Sequence, residues 1–349
     1  MLDGRQHNIL QKKEPKMIGR PLLWLATLLF VAVAALVSSA AGAQSQARAA
    51  AKTPTASPVP RTKWGVPDLQ GVWTNTTRTP LERPDNLARK EVLDDEERAE
   101  LDAEAARNAD RGPRAGDPGT YNDFWLDRGN HTNQTSLIID PADGKLPAFA
   151  RGAKERLDAT AVVRRQPPSS YEDVSIFERC ISRSMPAAMM PGFYNHNYQI
   201  LQTPEYVVLL VEMIHDIRVI PLDGRPHLQS NLQQWLGDSR GHWEGETLVV
   251  ETTNLRGVNE LRPSRAVFGG SAKTKIIERF RRVNADSIDY QFTVIDPDTY
   301  ARAWTASTPM TRAPFPIFEY ACHEGNYAIV NMLRGARQQE KSSLLARPR

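Results

Sequence analysis

The sequence lacks the motifs that mark several large classes of enzyme. It has no glycine-rich phosphate loop, no dinucleotide-binding fingerprint, no Gly-x-Ser-x-Gly nucleophile turn and no Cys-x-x-Cys-His haem attachment. Two cysteines in 349 residues are too few for a disulfide-rich scaffold. The single long apolar stretch, near the N-terminus, excludes a polytopic membrane protein. We therefore expect a protein of one or two globular domains without a nucleotide or redox cofactor.

The N-terminus has the pattern of an export signal. Residues 22–37 are almost purely apolar, basic residues precede them, and small residues follow them up to residue 43. This order is typical of a secretory signal peptide. An uncleaved anchor is the alternative, because residues 22–43 are just long enough to cross a bilayer. We expect a signal peptide at residues 1–43, a periplasmic or secreted protein, and no stable membrane insertion after cleavage.

The charge of the remaining chain argues against nucleic acid as a partner. The formal net charge is +3, but five of the 44 basic residues and only two of the 41 acidic residues lie in residues 1–43. That leaves 39 residues of each sign in the exported part. A chain without excess positive charge lacks the electrostatic footprint of nucleic-acid binding. The expected partner is a small-molecule ligand or substrate, and the oligomeric state stays open.

The exported part divides into a linker, one domain and a tail. Residues 44–63 are rich in Ala, Pro, Ser and Thr and have little to bury, which predicts a flexible linker. Residues 64–335 form the predicted β-rich domain with a helical insertion, and residues 336–349 form a tail. Within the insertion, Asp94 and Glu97 have the spacing of a capping box.

Two peripheral helices are predicted in the first half of this domain. The capping box begins the first, at residues 94–110, whose polar composition predicts a surface helix. A second and weaker pattern predicts a helix at residues 147–158. Neither segment has the long apolar stripe of a helix that builds a core.

From residue 174 onward, short β-branched and aromatic runs alternate with turn signals, which is typical of antiparallel sheets. Asp223-Gly224 and Glu244-Gly245 are hairpin pairs. Because closure removes both exposed edges of a sheet, we predict an antiparallel meander that closes into a lipocalin- or calycin-like barrel, with a β-sandwich as the alternative. The predicted strands lie at residues 197–202, 206–213, 217–222, 233–237, 241–243, 247–253, 274–282, 287–295, 303–309 and 317–323.

Two long motifs resemble an uncharacterised family of secreted bacterial proteins. The first reads Gly-Asp-Ser-Arg-Gly-His-Trp-Glu-Gly-Glu-Thr-Leu-Val-Val at residues 237–250, and the second reads Phe-Glu-Tyr-Ala-Cys-His-Glu-Gly-Asn-Tyr at residues 318–327. The resemblance covers most of residues 64–330. It implies no activity, cofactor or catalytic residue, so the roles of individual residues are inferred from their chemistry alone. Shorter similar segments lie at residues 136–147, 178–183 and 191–227.

The densest group of reactive side chains lies between residues 215 and 244. If the strand that starts at residue 206 continued in register to residue 219, His215 would interrupt an apolar face. Imidazole titrates near neutral pH, so His215 is the candidate acid or base and Asp216 its orienting group. The alternative is a structural histidine bonded to a backbone carbonyl. The predicted substrate-binding residues, chosen as guanidinium, imidazole or aromatic groups, are Arg218, Arg240, His242, Trp243 and Tyr198.

Histidines in the same region also allow a metal site as an alternative. His215, His227 and His242 would form one if the strands brought them together, and the metal would be a divalent ion. The sequence has no His-Glu-x-x-His or Cys-x-x-Cys signature. We therefore expect no metal cofactor.

Cys180 and Cys322 are the only cysteines, and an oxidising compartment favours a disulfide between them. The alternative is a nucleophilic Cys322 activated by His323. Neighbouring residues on a strand point to opposite faces, which disfavours that pairing.

These features predict an exported β-barrel that binds a small aromatic or hydroxylated organic molecule. The expected chemistry is acid–base catalysis without a cofactor, as in a lyase, an isomerase or a hydrolase. The alternatives are a non-catalytic periplasmic ligand-binding protein and a structural envelope protein. The enzyme requires an accessible hollow that holds His215, Arg240 and His242 together.

Overall fold

The computed structural model describes the chain in five stretches. The predicted signal peptide at residues 1–43 and residues 44–58 of the predicted linker lie outside the described residues. In the described part of the chain, no helix is both long enough and apolar enough to cross a membrane. The described residues are 59–109, 126–164, 166–192, 194–256 and 270–345.

The described residues contain eleven β-strands, which pair in an antiparallel sheet. Along the sheet the order is β5-β4-β3-β1-β11-β9-β8-β7-β6, and β10 pairs with both β9 and β2. The strands are β1 (Gly71–Thr74), β2 (Ile138–Asp140), β3 (Asn197–Gln202), β4 (Tyr206–Val211), β5 (Ile217–Pro221), β6 (Asp238–Glu244), β7 (Thr247–Thr253), β8 (Lys275–Arg282), β9 (Ser287–Ile295), β10 (Trp304–Ser307) and β11 (Met310–Arg312).

The sheet curls into a nearly closed barrel, as predicted. Its two end strands, β5 and β6, pack against each other without forming a hydrogen-bonded ladder. The order departs from a simple meander at β1, which lies between β3 and β11. Three strands that the turn signals did not reveal, β1, β2 and β11, therefore complete the barrel.

Alternation of buried and partly exposed residues marks several strands of the barrel wall. In β9 every second side chain is buried, and these are Ile288, Tyr290, Phe292 and Val294. Such a period of two sends one set of side chains into the core and the other outward. Trp304 meets Phe292 edge to face, with ring centroids 5.7 Å apart. Buried aromatic and aliphatic side chains thus fill the barrel interior.

Among the described residues, three α-helices lie outside the sheet: α1 (Asp95–Arg107), α2 (Ala153–Arg164) and α3 (Ala328–Leu345). The Asp94 capping box forms as predicted, with both of its reciprocal hydrogen bonds. The second helix begins later than residue 147, because Phe149 pairs with Tyr300 next to the sheet.

Near the C-terminus one predicted strand was wrong. Residues 317–323 form no strand, since the Tyr320 carbonyl and Cys322 bond to other segments rather than to the sheet. The predicted tail contains most of α3, which starts inside the predicted domain.

The predicted disulfide is confirmed. Cys180 and Cys322 are bonded; their Cα atoms lie 5.7 Å apart, and the two residues are 142 positions apart in sequence. The bond fastens the segment before α3 to the loop that precedes β3. Both cysteines are therefore used in the described fold, and Cys322 is not a free nucleophile.

Candidate functional site

The line along which β5 and β6 meet is called the seam. Gly241 on β6 faces Ile220 and Leu222 of the β5 side, and a Cβ atom at this position would lie 2.9 Å and 2.8 Å from their methyl carbons. Carbon atoms do not approach so closely without a shift. Glycine thus allows the two strands to meet through side-chain packing where no ladder forms.

A buried ion pair crosses the seam inside the barrel. Arg218 on β5 donates hydrogen bonds to both carboxylate oxygens of Glu278 on β8, at 3.0 and 2.5 Å. Its Nη2 also lies 3.2 Å from the hydroxyls of Ser239 on β6 and Thr252 on β7. The Tyr290 hydroxyl donates to Glu278 at 2.9 Å. Arg218 on the end strand β5 therefore bonds to β6, β7 and β8, which lie on the other side of the seam.

These charges are almost completely removed from water. The side chains of Arg218 and Glu278 are 2% and 0% exposed. Burial lowers the pKa of Arg218, but the Glu278 carboxylate outweighs burial and raises it above the ordinary value. Burial and the same carboxylate raise the pKa of Tyr290 well above its ordinary value. The network thus holds a charged Arg218 and a neutral Tyr290 hydroxyl that donates its proton.

A cavity of about 610 Å³ opens at the seam, and we call it the seam cavity. Its volume lies within the usual range for small-molecule sites. Its walls come from β5, from the start of β6, from the segment before β6 and from the loop that follows Cys180. The lining residues are Ile181, Ser182, Asp216, Ile217, Arg218, Val219, Gln233, Gln234, Trp235, Leu236, Gly237, Asp238 and Ser239.

Asp216 is the half-buried carboxyl group of the seam cavity. Its Oδ2 accepts a hydrogen bond from the Ser182 hydroxyl at 2.9 Å, and the backbone N–H of Arg183 also donates to the carboxylate. Burial raises the pKa of Asp216, and these hydrogen bonds only partly offset that effect. A carboxyl group of this kind can bond to a ligand hydroxyl, and its raised pKa makes it a better proton donor than an exposed carboxyl group.

On the wall formed by the segment before β6, Trp235 is held by one hydrogen bond to its backbone and one cation–π contact to its ring. Ser184 donates from its hydroxyl to the Trp235 carbonyl at 2.8 Å, and the Arg256 guanidinium lies 4.6 Å from the Trp235 ring. Gly237 has φ +72°, and a Cβ atom there would lie 2.5 Å from the Thr253 carbonyl oxygen. This glycine turns the chain into β6, which is why the predicted strand at residues 233–237 does not form.

The structure corrects the expected surroundings of His215. The strand does not continue through this residue, because Ile214 and His215 have φ values of +62° and +48° and form a turn between β4 and β5. The imidazole is exposed, and its Nδ1 lies 3.1 Å from the Tyr320 carbonyl. His215 therefore does not enter an apolar face and is not bonded to Asp216.

Two other predicted ligand-binding residues lie in the barrel interior. Arg218 is occupied by Glu278, as described above. Tyr198 is fully buried, and its hydroxyl lies 3.2 Å from Asn75 Oδ1. Burial raises the pKa of Tyr198 above its ordinary range. Neither side chain is free to reach a ligand in this arrangement.

Three predicted binding residues follow one another along β6. Arg240 and His242 share a face, as expected, but it is the outer face: Arg240 bonds to Asp238 at 2.6 Å, and the exposed His242 bonds to Glu244 at 3.2 Å. Trp243 is half-buried and packs against the core. The expected cluster of His215, Arg240 and His242 around a hollow does not form.

The alternative metal site does not form either. His227 bonds to Asp238 through Nδ1 at 2.8 Å and lies 3.4 Å from Glu251 through Nε2, whereas His215 and His242 have other partners. Within the described stretches, no three His, Cys, Asp or Glu side chains are placed to hold a metal ion together.

Sequence reasoning found part of the seam cavity. It singled out Asp216 and Arg218, which line the cavity, but it missed Ser182 and the counter-ion Glu278. Ser182 lies in a segment marked only by the resemblance, and nothing in the sequence links Glu278 to Arg218, 60 residues away. Comparisons with models of protein families, with curated proteins and with solved structures found no match to the chain.

Proposed function

We propose that this chain is an exported protein that binds a neutral, hydroxylated small molecule in the seam cavity. The observation that carries the proposal is the cavity of about 610 Å³ between β5 and β6, the neighbouring strands that form no ladder among the described residues. An unladdered seam leaves room for a ligand between two strands, and mixed polar and aromatic walls are typical of ligand sites.

The charges of the cavity favour a neutral ligand. Arg218 is neutralised by Glu278, and Asp238 is neutralised by Arg240, with His227 as a further partner. The groups left to recognise a ligand are the Asp216 carboxyl and the side-chain amides of Gln233 and Gln234. An amide both donates and accepts hydrogen bonds. Trp235 supplies an aromatic wall. Such a set suits a sugar-like or phenolic ligand better than a carboxylate or a phosphate.

Binding is tested by a thermal-shift screen against neutral sugars, polyols and phenols, followed by titration calorimetry of each hit. A ligand that binds the folded state raises the melting temperature by mass action. Asp216→Asn should weaken binding by about tenfold or more, because a hydrogen bond to a charged group contributes about 1.5–3 kcal/mol. Trp235→Ala should weaken binding further. A hit whose affinity neither variant changes would show that it binds elsewhere.

The Asp216→Asn variant is expected to fold. Because burial raises the pKa of Asp216, ionisation of this group costs stability as the pH rises from the unfolded-state pKa to the folded-state pKa. The neutral amide avoids that cost at pH 7. The matched control is Asp158→Asn, which makes the same change in an exposed ion pair on α2 and should leave ligand affinity unaltered.

Acid–base turnover at Asp216 is the second candidate function. The raised pKa of this carboxyl group in a cavity favours it, since catalytic acids are commonly tuned in this way. His215 is not bonded to Asp216, so Asp216 itself becomes the candidate acid or base, and the Ser182 hydroxyl orients it. Product analysis of each hit tests the candidate. Turnover that persists in Asp216→Asn would assign the chemistry to another residue and leave binding as the function.

Export is proposed on two grounds. The N-terminal pattern is that of a signal peptide, and the Cys180–Cys322 disulfide is typical of oxidising compartments. N-terminal sequencing of the protein from a periplasmic or secreted fraction should find a start close to residue 44. A start well before residue 22 in a membrane fraction would favour the uncleaved anchor.

A further inference from the structure

A second cavity, which we call the Arg78 cavity, lies between α1 and the segment that follows β1. Its volume is about 500 Å³, and it shares no lining residue with the seam cavity. None of the residues proposed above for ligand binding belongs to it. The lining residues are Thr77, Arg78, Thr79, Leu81, Ala105, Arg128, His131, Leu137, Met190, Pro191 and Gly192.

Two guanidinium groups line this cavity without a counter-ion in the described structure. Arg78 is half-buried and donates its Nε–H to the Gly129 carbonyl at 3.0 Å, which fixes the side chain and leaves both terminal nitrogens for a ligand. Arg128 is exposed and forms no ion pair with a described residue. Guanidinium groups present paired N–H donors that match the two oxygens of a carboxylate.

His131 also lines the cavity, and hydrogen bonds to Asp102 fix its position. Asp102 on α1 accepts hydrogen bonds from the backbone N–H of His131 at 2.9 Å and from its ring Nδ1 at 2.6 Å. Burial raises the pKa of Asp102, but the hydrogen bonds from His131 outweigh it and lower the pKa. Asp102 therefore stays ionised and occupied, and it does not compete with a ligand for the two arginines.

Apart from Thr77 and Thr79, the rest of the described wall of the Arg78 cavity is apolar. Leu81, Leu137, Met190 and Pro191 form this part of the wall, and no Asp or Glu is among the described lining residues. A ligand for this site thus needs negative charge at one end and a hydrocarbon body at the other. A fully hydrated anion such as inorganic phosphate would leave the apolar wall unused.

We propose that the Arg78 cavity binds a small molecule that carries a carboxylate on an apolar body. Arg78 and Arg128 hold the carboxylate, and the apolar wall packs against the body. The chain then has two sites of different chemistry, since the seam cavity offers no free cation and the Arg78 cavity offers two. The second site stands on its own geometry and does not depend on the seam cavity.

Titration calorimetry on the purified full chain tests this with benzoate and cyclohexanecarboxylate as probes. Both should bind, while benzamide, which has the same ring without the charge and without a hydroxyl group, should bind at least about tenfold more weakly. Arg128→Gln should weaken benzoate binding by about tenfold or more; the variant is expected to fold because Arg128 is exposed. Arg78→Gln should act in the same direction.

Two control variants distinguish binding in the Arg78 cavity from a general effect of protein charge and from binding in the seam cavity. Arg334→Gln makes the same change in charge on the exposed face of α3 and should leave benzoate affinity unaltered. Asp216→Asn, in the seam cavity, should also have no effect, so that failure of one site is distinguishable from failure of the other. The proposal is overturned if neither carboxylate binds, whether or not phosphate binds. It is also overturned if Arg128→Gln and Arg334→Gln lower benzoate affinity equally.

Discussion

Replacing Glu278 by alanine is expected to lower the free energy of unfolding by about 3–5 kcal/mol, because it leaves the Arg218 guanidinium buried without its counter-ion. Tyr290 also loses its acceptor. The measurement is equilibrium urea denaturation of the wild type and the variant under the same conditions. The loss should be accompanied by faster hydrogen exchange in β5, since Arg218 ties that edge strand to β6, β7 and β8.

Two further variants decide how this loss arises. The double variant Arg218→Met/Glu278→Leu removes both charges and should recover most of the stability, because apolar groups of similar volume tolerate the same burial. Asp223→Ala breaks an ion pair with Arg225 that is exposed to water, and it should change the unfolding free energy little. A loss below about 1 kcal/mol for Glu278→Ala would mean that water reaches Arg218 and that the seam is open.

The barrel could be predicted from the sequence because its strands carry their own signals. Alternation and turn pairs placed the strands at residues 197–202, 247–253 and 287–295 at their observed bounds. β2 and β11 were missed because they are three residues long, too short for a period of two to be recognised. Their pairing partners are distant in sequence, so no local turn announces them.

The candidate site was predictable only in part, because it depends on where the strand register breaks. Asp216 and Arg218 were identified from their chemistry, and both line the seam cavity. His215 was placed on an apolar face by extending β4 in register, but the left-handed turn at Ile214 ends that register. A left-handed isoleucine has no sequence signal, since β-branched residues rarely adopt that conformation.

The contacts that define the two cavities join segments that are far apart in sequence. Glu278 meets Arg218 across 60 positions, and Asp102 meets His131 across 29. A single sequence indicates which residues can pair with opposite charge, but not which of many such residues do. The disulfide was the exception, because only two cysteines were available and one pairing was possible.

Loss of the disulfide is expected to lower the free energy of unfolding by about 3–5 kcal/mol. The bond closes a loop across 142 positions, and a cross-link across so long a loop removes much of the conformational freedom of the unfolded chain. The test is urea denaturation of Cys180→Ser/Cys322→Ser against the oxidised wild type. The reduced wild type should match the double variant, and a reductant should not alter the double variant further. If the double variant is as stable as the oxidised protein, then the unfolded chain is already confined near these residues.

The same variant also tests how the disulfide supports the seam cavity. Cys180 lies two residues before Ser182, which donates its hydroxyl to Asp216. Cys322 lies two residues after Tyr320, whose carbonyl meets His215 in the turn before β5. Without the bond, both contacts lose their anchor. Any ligand found for the seam cavity should therefore bind the double variant more weakly at a temperature where the variant is still folded. Benzoate binding in the Arg78 cavity, which shares none of these residues, should change much less; an equal loss at both cavities would indicate a general loosening of the barrel.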